Sequence, residues 1–315
     1  MKQNKLFFLL AIIFFCLSTS AQNSQESLAE KLGYPENSKM LIIHADDAGV
    51  SHSENIATIR GLEEGVVNSS SIMVPCPWFP EIAAYAKKHA DSADFGLHLT
   101  VTSEWKDFKW GSTSSKNEVQ SLINHQGYFY PLVDSVVRHG KAIHVEKEIE
   151  AQIQKAISFG IDITHLDAHM GAVMSTPEFL KAYIKKGREY EVPVLLNREI
   201  PALREMKDFE FTEKDVFVDS VYQAYPEVYN DKAMDRFYED ILNNLQPGLS
   251  CILIHLAVNN EEMMAVTKEH PYWGSQWRQN DLDFFTGEKV RKLLEKNDII
   301  LVTWREIRDK IVRLK

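Results

Sequence analysis

Apolar runs of strand length alternate along this chain with segments of helical periodicity. Strand candidates cover residues 40–45, 66–74, 95–101, 161–167, 192–196, 251–258 and 299–302. Between them Ile149, Ile153, Ala156 and Ile157 form a stripe at helical spacing. Phe179, Leu180, Tyr183 and Ile184 form another behind a Thr176-Pro177 helix start. Repeated alternation of this kind predicts a parallel sheet covered by helices, and the number of units favours a barrel over an open sheet. The expected fold is α/β: an irregular (β/α) barrel of about seven strands, in a single domain over residues 39–315 with long loops at the carboxyl ends of its strands.

Three connections, 102–141, 197–232 and 259–283, exceed what compact domains usually allow, and loops of that size commonly serve a site. The first carries Trp105, Phe108, Trp110, Tyr128, Phe129 and Tyr130, and the last Tyr272, Trp273 and Trp277. Two readings stay open. The aromatic faces stack on sugar rings in a groove, with Trp105 and Trp273 as substrate contacts, or the loops pack on themselves.

Residues 1–21 stand apart from this pattern. Lys2 and Lys5 precede an apolar run at 6–17, and Thr19-Ser20-Ala21 offers a cleavage site, the layout of a signal peptide. The run is shorter than the roughly 20 residues a spanning helix needs. Export is therefore expected, to the periplasm or beyond the cell, with an uncleaved anchor as the second reading. Cys16 invites a lipoprotein reading, which the bulky Phe14-Phe15 before it disfavours. Residues 22–38 are polar, with Gly33, Pro35 and Asn37, and are expected to form a loosely held lead-in.

The formal charge is −10, and cleavage after Ala21 would remove two lysines and bring it to −12. An acidic exported chain is a poor partner for nucleic acid or an anionic membrane surface, and cleavage would leave no integral membrane span. Cys76 and Cys251 are too few for a disulfide framework, though they could pair in an oxidising compartment. Oligomeric state is not legible.

The chemistry concentrates at strand ends. Leu41-Ile42-Ile43-His44-Ala45-Asp46-Asp47-Ala48-Gly49 finishes an apolar strand on two adjacent carboxylates. The carboxyl ends of parallel strands are where such folds gather ligands and catalytic groups. Two carboxylates side by side repel and lose hydration, so a cation or hydrogen-bond donors must accompany them. Helix capping does not account for them, because Ser51 and Glu54 already stand at capping-box spacing.

In Phe95-Gly96-Leu97-His98-Leu99-Thr100, the residues Gly96, His98 and Thr100 share one face and the leucines the other. In Ile163-Thr164-His165-Leu166-Asp167-Ala168-His169 an extended strand would set His165 and His169 about 13 Å apart, at roughly 3.3 Å per residue, too far to share an ion. His169 is nearer the strand exit and is the expected ligand, with His165 and Asp167 orienting a ligand by hydrogen bonding. His255 lies near the end of the apolar run that starts at Cys251 and must find a partner there. Each histidine alone reads as a satisfied core residue, but four strands ending in acid or histidine point to one shared site. An aspartate with two histidines leaves coordination positions open, as catalytic metal sites do. Zinc fits, and magnesium, manganese, cobalt and nickel are not excluded, because ligand type alone does not select among them.

Taken together, Ala45-Asp46-Asp47 with Gly49, Gly96-Leu97-His98-Leu99-Thr100 and Thr164-His165-Leu166-Asp167-Ala168-His169 resemble the three signature motifs of the YdjC-like (ChbG/HpnK) carbohydrate deacetylases. The resemblance covers nearly the whole chain after residue 21. It implies an irregular (β/α) barrel related to polysaccharide deacetylases, and a metal-dependent hydrolase that removes N-acetyl groups from amino-sugar oligo- or polysaccharides. By the same resemblance Asp47, His98 and His169 bind one divalent metal and Asp46 is the general base. His255 falls where related deacetylases keep a late histidine as acid, and Arg198 is expected to steady the Asp46 charge or hold substrate. Two departures stand out: Ala48 replaces a usual aromatic, and Met170-Gly171 replace further histidines. Two other classes remain as alternatives. One is a metal-independent glycoside hydrolase using paired carboxylates, the other a non-catalytic glycan-binding protein on the same fold.

Overall fold

The computed structural model describes residues 26–230 and 232–314, so the expected signal peptide lies outside the described residues. Nine strands are described: β1 (Lys39–Ala48), β2 (Ser69–Ile72), β3 (Phe95–Leu99), β4 (Leu166–Ala168), β5 (Leu196–Asn197), β6 (Phe217–Val218), β7 (Ser220–Gln223), β8 (Gly248–His255) and β9 (Ile299–Leu301). The main sheet runs β4-β3-β2-β1-β8-β7, and β9 pairs with the start of β1. Every pairing is parallel. From Met40 to Ala48 every residue of β1 is buried. Covering on both faces is why this strand reads as a nearly continuous apolar run.

The sheet curls toward closure through short links. A bridge between Leu166 and Val194 carries the β4 edge to the segment entering β5, which pairs with β6. Asp219, between β6 and β7, donates its amide to Leu249 O at 2.8 Å and so returns the ring to β8. The result is an irregular (β/α) barrel, as the strand–helix alternation predicts. Two expected strands shrink: 161–167 becomes regular strand only from Leu166, though Thr164 N already donates to Phe95 O at 3.0 Å, and 192–196 contributes the Val194 bridge and the first residue of β5. β6 and β7 arise inside the expected loop 197–232, because strands of two and four residues leave almost no periodicity to read.

Strand alternation divides the core. Leu41, Ile43 and Ala45 of β1, with Ile252 and Ile254 of β8, pack outward under the helices. Met40 and Ile42, with Leu249, Cys251, Val302 and Trp304, fill the barrel interior at its amino end. The same two-residue period continues inward-facing positions to His44 and Asp46 on β1 and to His255 on β8. On β3, Phe95, Leu97 and Leu99 join the outer core, which leaves Gly96, His98 and Thr100 facing in. An apolar plug at one end of the barrel and a polar rim at the other thus follow from strand parity.

From residue 26 onward the lead-in is better held than its composition predicts. Ser27 and Glu30 close a capping box on the helix Leu28–Leu32, whose Ala29 and Leu32 are buried. Trp110 and Phe129 are buried too, with Trp110 Nε1 donating to Thr102 O at 2.7 Å and Phe129 N to Trp110 O at 3.2 Å, so much of the first long loop packs on itself. Cys76 and Cys251 are buried free thiols. Among the described residues no helix is long and apolar enough to cross a membrane.

Candidate metal centre and active site

Adjacent residues of an extended strand point to opposite faces, yet Asp46 and Asp47 both reach the barrel mouth. The β1–β2 register shifts between Ala45 and Ala48, and Asp47 takes φ +66°. That irregularity turns Asp47 back toward its neighbour's side, a device found beside active sites. Gly49 follows at φ +99°, its amide held by Asn55 Oδ1 at 2.7 Å.

Asp47 Oδ1 lies 3.3 Å from His98 Nε2 and 3.3 Å from His169 Nδ1, and those two nitrogens are 3.2 Å apart. Each imidazole is anchored through its other nitrogen. His98 Nδ1 meets Asp167 Oδ1 at 2.6 Å, and His169 Nε2 meets Glu104 Oε2 at 3.0 Å. A carboxylate accepting from one ring nitrogen fixes the tautomer and turns the other nitrogen's lone pair inward. Two inward lone pairs and a buried carboxylate oxygen without a hydrogen-bond partner would repel one another.

A cation resolves that repulsion, and the spacing fits one. A tetrahedral ion with bonds of about 2.05 Å separates its ligands by about 3.3 Å. Two other groupings of buried acids and histidines, His44–His165–Asp167 and Asp46–His98–Asp167, lie close by. They contain separations of 2.7 Å (His44 to Asp167) and 2.6 Å (His98 to Asp167), which are those of charge-assisted hydrogen bonds and too short to span an ion. Asp47, His98 and His169 are therefore the set suited to a metal.

The local field is strongly negative. Burial alone would raise Asp47, but Arg278, then His169 and His98, hold it well below the carboxylate range. Burial opposes charge on His169, yet Glu104 and then Asp47 carry it up to about 9. His98 is likewise raised well above its usual value against burial, by Asp167 and Asp46. Without a metal the site draws protons onto its ligand nitrogens; the same field attracts a cation.

The structure gathers Asp46, Asp47, His98, His169 and His255 at one mouth. Asp46 and His255 are register partners on β1 and β8, with Asp46 Oδ2 3.9 Å from His255 Nε2. Burial depresses His255 to about 4. Arg198 lies elsewhere: it is exposed and covers the Phe217 ring at 4.5 Å. The guanidinium beside the aspartates is that of Arg278, which donates Nη2 to Asp47 Oδ2 at 2.8 Å, Nη1 to Glu54, and Nε to Trp273 O at 2.6 Å. Trp105 is buried against Arg278 and His270 rather than lining an open groove. Trp273, half-buried at φ +53°, stacks on Trp277.

Arg278, Glu104, Glu54 and His44 were not singled out by the sequence. Glu104 follows the His98 strand within a loop expected to serve the site. His44 shares strand parity with Asp46, a signal that was there to read. Arg278 and Glu54 carried none, since Glu54 looks like a capping residue and Arg278 like a helix-surface cation.

A (β/α) barrel with a carboxylate and two imidazoles able to hold a metal ion at its mouth defines the class. The model of the YdjC-like protein family matches residues 40–296, and the chain belongs to that family. A carbohydrate deacetylase of Thermus thermophilus is 29% identical, over 90% of this chain and 98% of its own. One from Brevibacillus brevis is 32% identical over 85% of this chain and 99% of its own. A crystal structure from Enterococcus faecalis, described as a candidate cellobiose-phosphate cleavage protein, shares the fold. Its TM-score is 0.71 at 20% identity, over 86% of this chain and 99% of that one.

Proposed function

We propose that this protein is a metal-dependent carbohydrate deacetylase, hydrolysing the N-acetyl group of an amino sugar within an oligo- or polysaccharide. The observation that carries the reading is the Asp47–His98–His169 triangle, with both outward imidazole nitrogens held by carboxylates. Relatives named carbohydrate deacetylase, matched over most of their length, supply the substrate class. Asp47, His98 and His169 would hold one divalent ion, zinc before magnesium, manganese, cobalt or nickel. When bound, the ion would polarise the amide carbonyl and acidify a water.

The chain's own groups do the rest. Asp46 takes the proton of the attacking water as general base. His255, depressed to about 4, is neutral at rest near neutral pH, so it cannot begin as the acid. The proton it hands to the departing nitrogen is the one Asp46 has collected; Asp46 Oδ2 stands 3.9 Å from His255 Nε2, beyond direct transfer, so the proton passes through one bridging water. Arg278 holds Asp47 ionised and oriented.

Acetate release from a panel of N-acetylated oligosaccharides, before chelation, after it, and with single metals restored, tests the reading. Release that vanishes and returns with one ion is expected; chelator-resistant acetate release would overturn the metal mechanism, chelator-resistant glycosidic cleavage without acetate would favour a metal-independent glycoside hydrolase, and affinity without turnover a binding protein. Asp46→Asn should keep the ion and lose turnover, whereas His98→Ala and His169→Ala should lose the ion. Full metal occupancy in both histidine variants would remove the assigned triad. We further propose export, periplasmic or secreted, from the layout of residues 1–21; a mature protein still starting at Met1 in the cytoplasmic fraction would refute it.

A further inference from the structure

One buried group beneath the site has no part in the mechanism above. His44 is fully buried, with Nδ1 2.9 Å from Ser69 Oγ and Nε2 3.1 Å from Ser71 Oγ. Its Nε2 is also 2.7 Å from Asp167 Oδ2 and 3.1 Å from Asp46 Oδ1. Among the described residues it is the one side chain whose nitrogen comes that close to both carboxylates. Asp46 Oδ1 is buried with no well-aligned donor, and the next imidazole, His98, stands 4.0 Å away. We propose that His44 is a positioning residue: its buried Nε2–H, aligned on Asp167 Oδ2 with Asp46 Oδ1 3.1 Å away, ties the Asp46 carboxylate to the Asp167–His98 pair, and so sets the base relative to the metal ligands.

The inference rests on Asp46 being the base, and it extends that reading one layer down. Asp167 spends one oxygen on His98 and the other on His44, so Asp46, His44, Asp167 and His98 form a chain from base to metal ligand. The arrangement cannot be a second metal site, because the 2.7 Å separation leaves no room for an ion. Charge balance supports it. Arg278 answers Asp47, whereas among the described residues His44 is the nearest ion-pairing side chain to the inner oxygens of Asp46 and Asp167. Burial opposes protonation of His44, yet Asp167 and Asp46 raise it to about 9. The other titratable groups near it are Asp94, and His165 with its ring 4.9 Å away and held neutral by burial. The facing β2 side chains, Ser69 and Ser71, carry no charge.

The test compares the zinc-loaded protein with His44→Met, His44→Gln, Asp46→Asn and the double variant His44→Met/Asp46→Asn. Zinc content, kcat and KM are read for each. His44→Met keeps the bulk without the donor; it should retain zinc, lower kcat about 10- to 100-fold and leave KM nearly unchanged. His44→Gln restores a donor and should recover most of the loss. If His44 acts through Asp46, the double variant falls no further than Asp46→Asn alone. Unchanged kcat in His44→Met, or costs that add in full, overturns the proposal while leaving Asp46 as base. Intact turnover in Asp46→Asn overturns both. Should His44→Met fail to fold, or no acetylated sugar be turned over, nitrogen-15 histidine NMR at pH 7 decides. A His44 ring carrying a proton on Nε2, assigned by its loss in His44→Gln, supports the proposal, and a ring with Nε2 unprotonated refutes it.

Discussion

His98 Nδ1 lies 2.6 Å from Asp167 Oδ1, across the register that pairs these two residues of β3 and β4. Parallel neighbours in register share a face, so the backbone itself delivers an acid to a ligand's back. Asp167→Asn should keep the shape and lose the charge, freeing the His98 tautomer. We expect metal affinity to fall about 10- to 100-fold, measured by competition with a chromogenic chelator. Unchanged affinity would mean that Asp167 serves packing and not the metal.

Metal binding should strengthen as pH rises. In the metal-free site Glu104 and Asp47, against burial, raise His169 to about 9, and His98 is raised as well. Below that value a metal must displace protons from its ligand nitrogens. Apparent affinity should therefore climb from pH 6 toward pH 9 and level off beyond. The metal-free protein should show the opposite trend in stability. A folded-state pKa above the unfolded value stabilises fully below about 6.5 and is lost as pH rises through about 9. Thermal denaturation of chelated protein should thus show a falling midpoint over that window, with the His169 part of the fall absent when metal is bound. A pH-independent affinity would contradict both expectations.

Arg278 is a stronger structural dependency than its place on a surface-facing helix implies. It is buried, with partners in Asp47, Glu54 and the Trp273 carbonyl. Arg278→Met strands two buried carboxylates, and breaking a buried pair from one side costs about 3–5 kcal/mol. Arg278→Lys should rescue little, because an ammonium cannot match the forked geometry. Urea unfolding of both variants checks this, and wild-type stability in either would refute it.

Much of this was legible in the sequence for a physical reason. A strand with two buried faces must be apolar, so β1, β3 and β8 announced themselves, and the two-residue period put Asp46, His98 and His255 on the inner side. What parity could not show was Asp47. By alternation it belongs outside, and only the register shift and a positive φ bring it in. Arg278 and Glu104 were hidden for a different reason. They reach the site from loops and a flanking helix, where no periodicity ties position to direction, so an arginine beside the expected strand, Arg198, drew the role instead.

Gly96 offers the sharpest test of how the inner face is packed. A Cβ there would stand 2.4 Å from His165 Cε1 and Nε2, closer than any real contact. The ring has nowhere to go, since it stacks on Trp304 at 5.3 Å and meets His44 edge-on at 4.9 Å. Gly96→Ala should therefore destabilise the fold by about 1–3 kcal/mol, the usual cost of overpacking. Because His98 is two residues further along the same face, zinc affinity should weaken too. The cause can be isolated by a cycle. In a His165→Ala background the clash partner is gone, so adding Gly96→Ala should cost almost nothing further. An equal cost in both backgrounds would show that the penalty comes from the β3 backbone and that the His165 ring is not what requires glycine at this position.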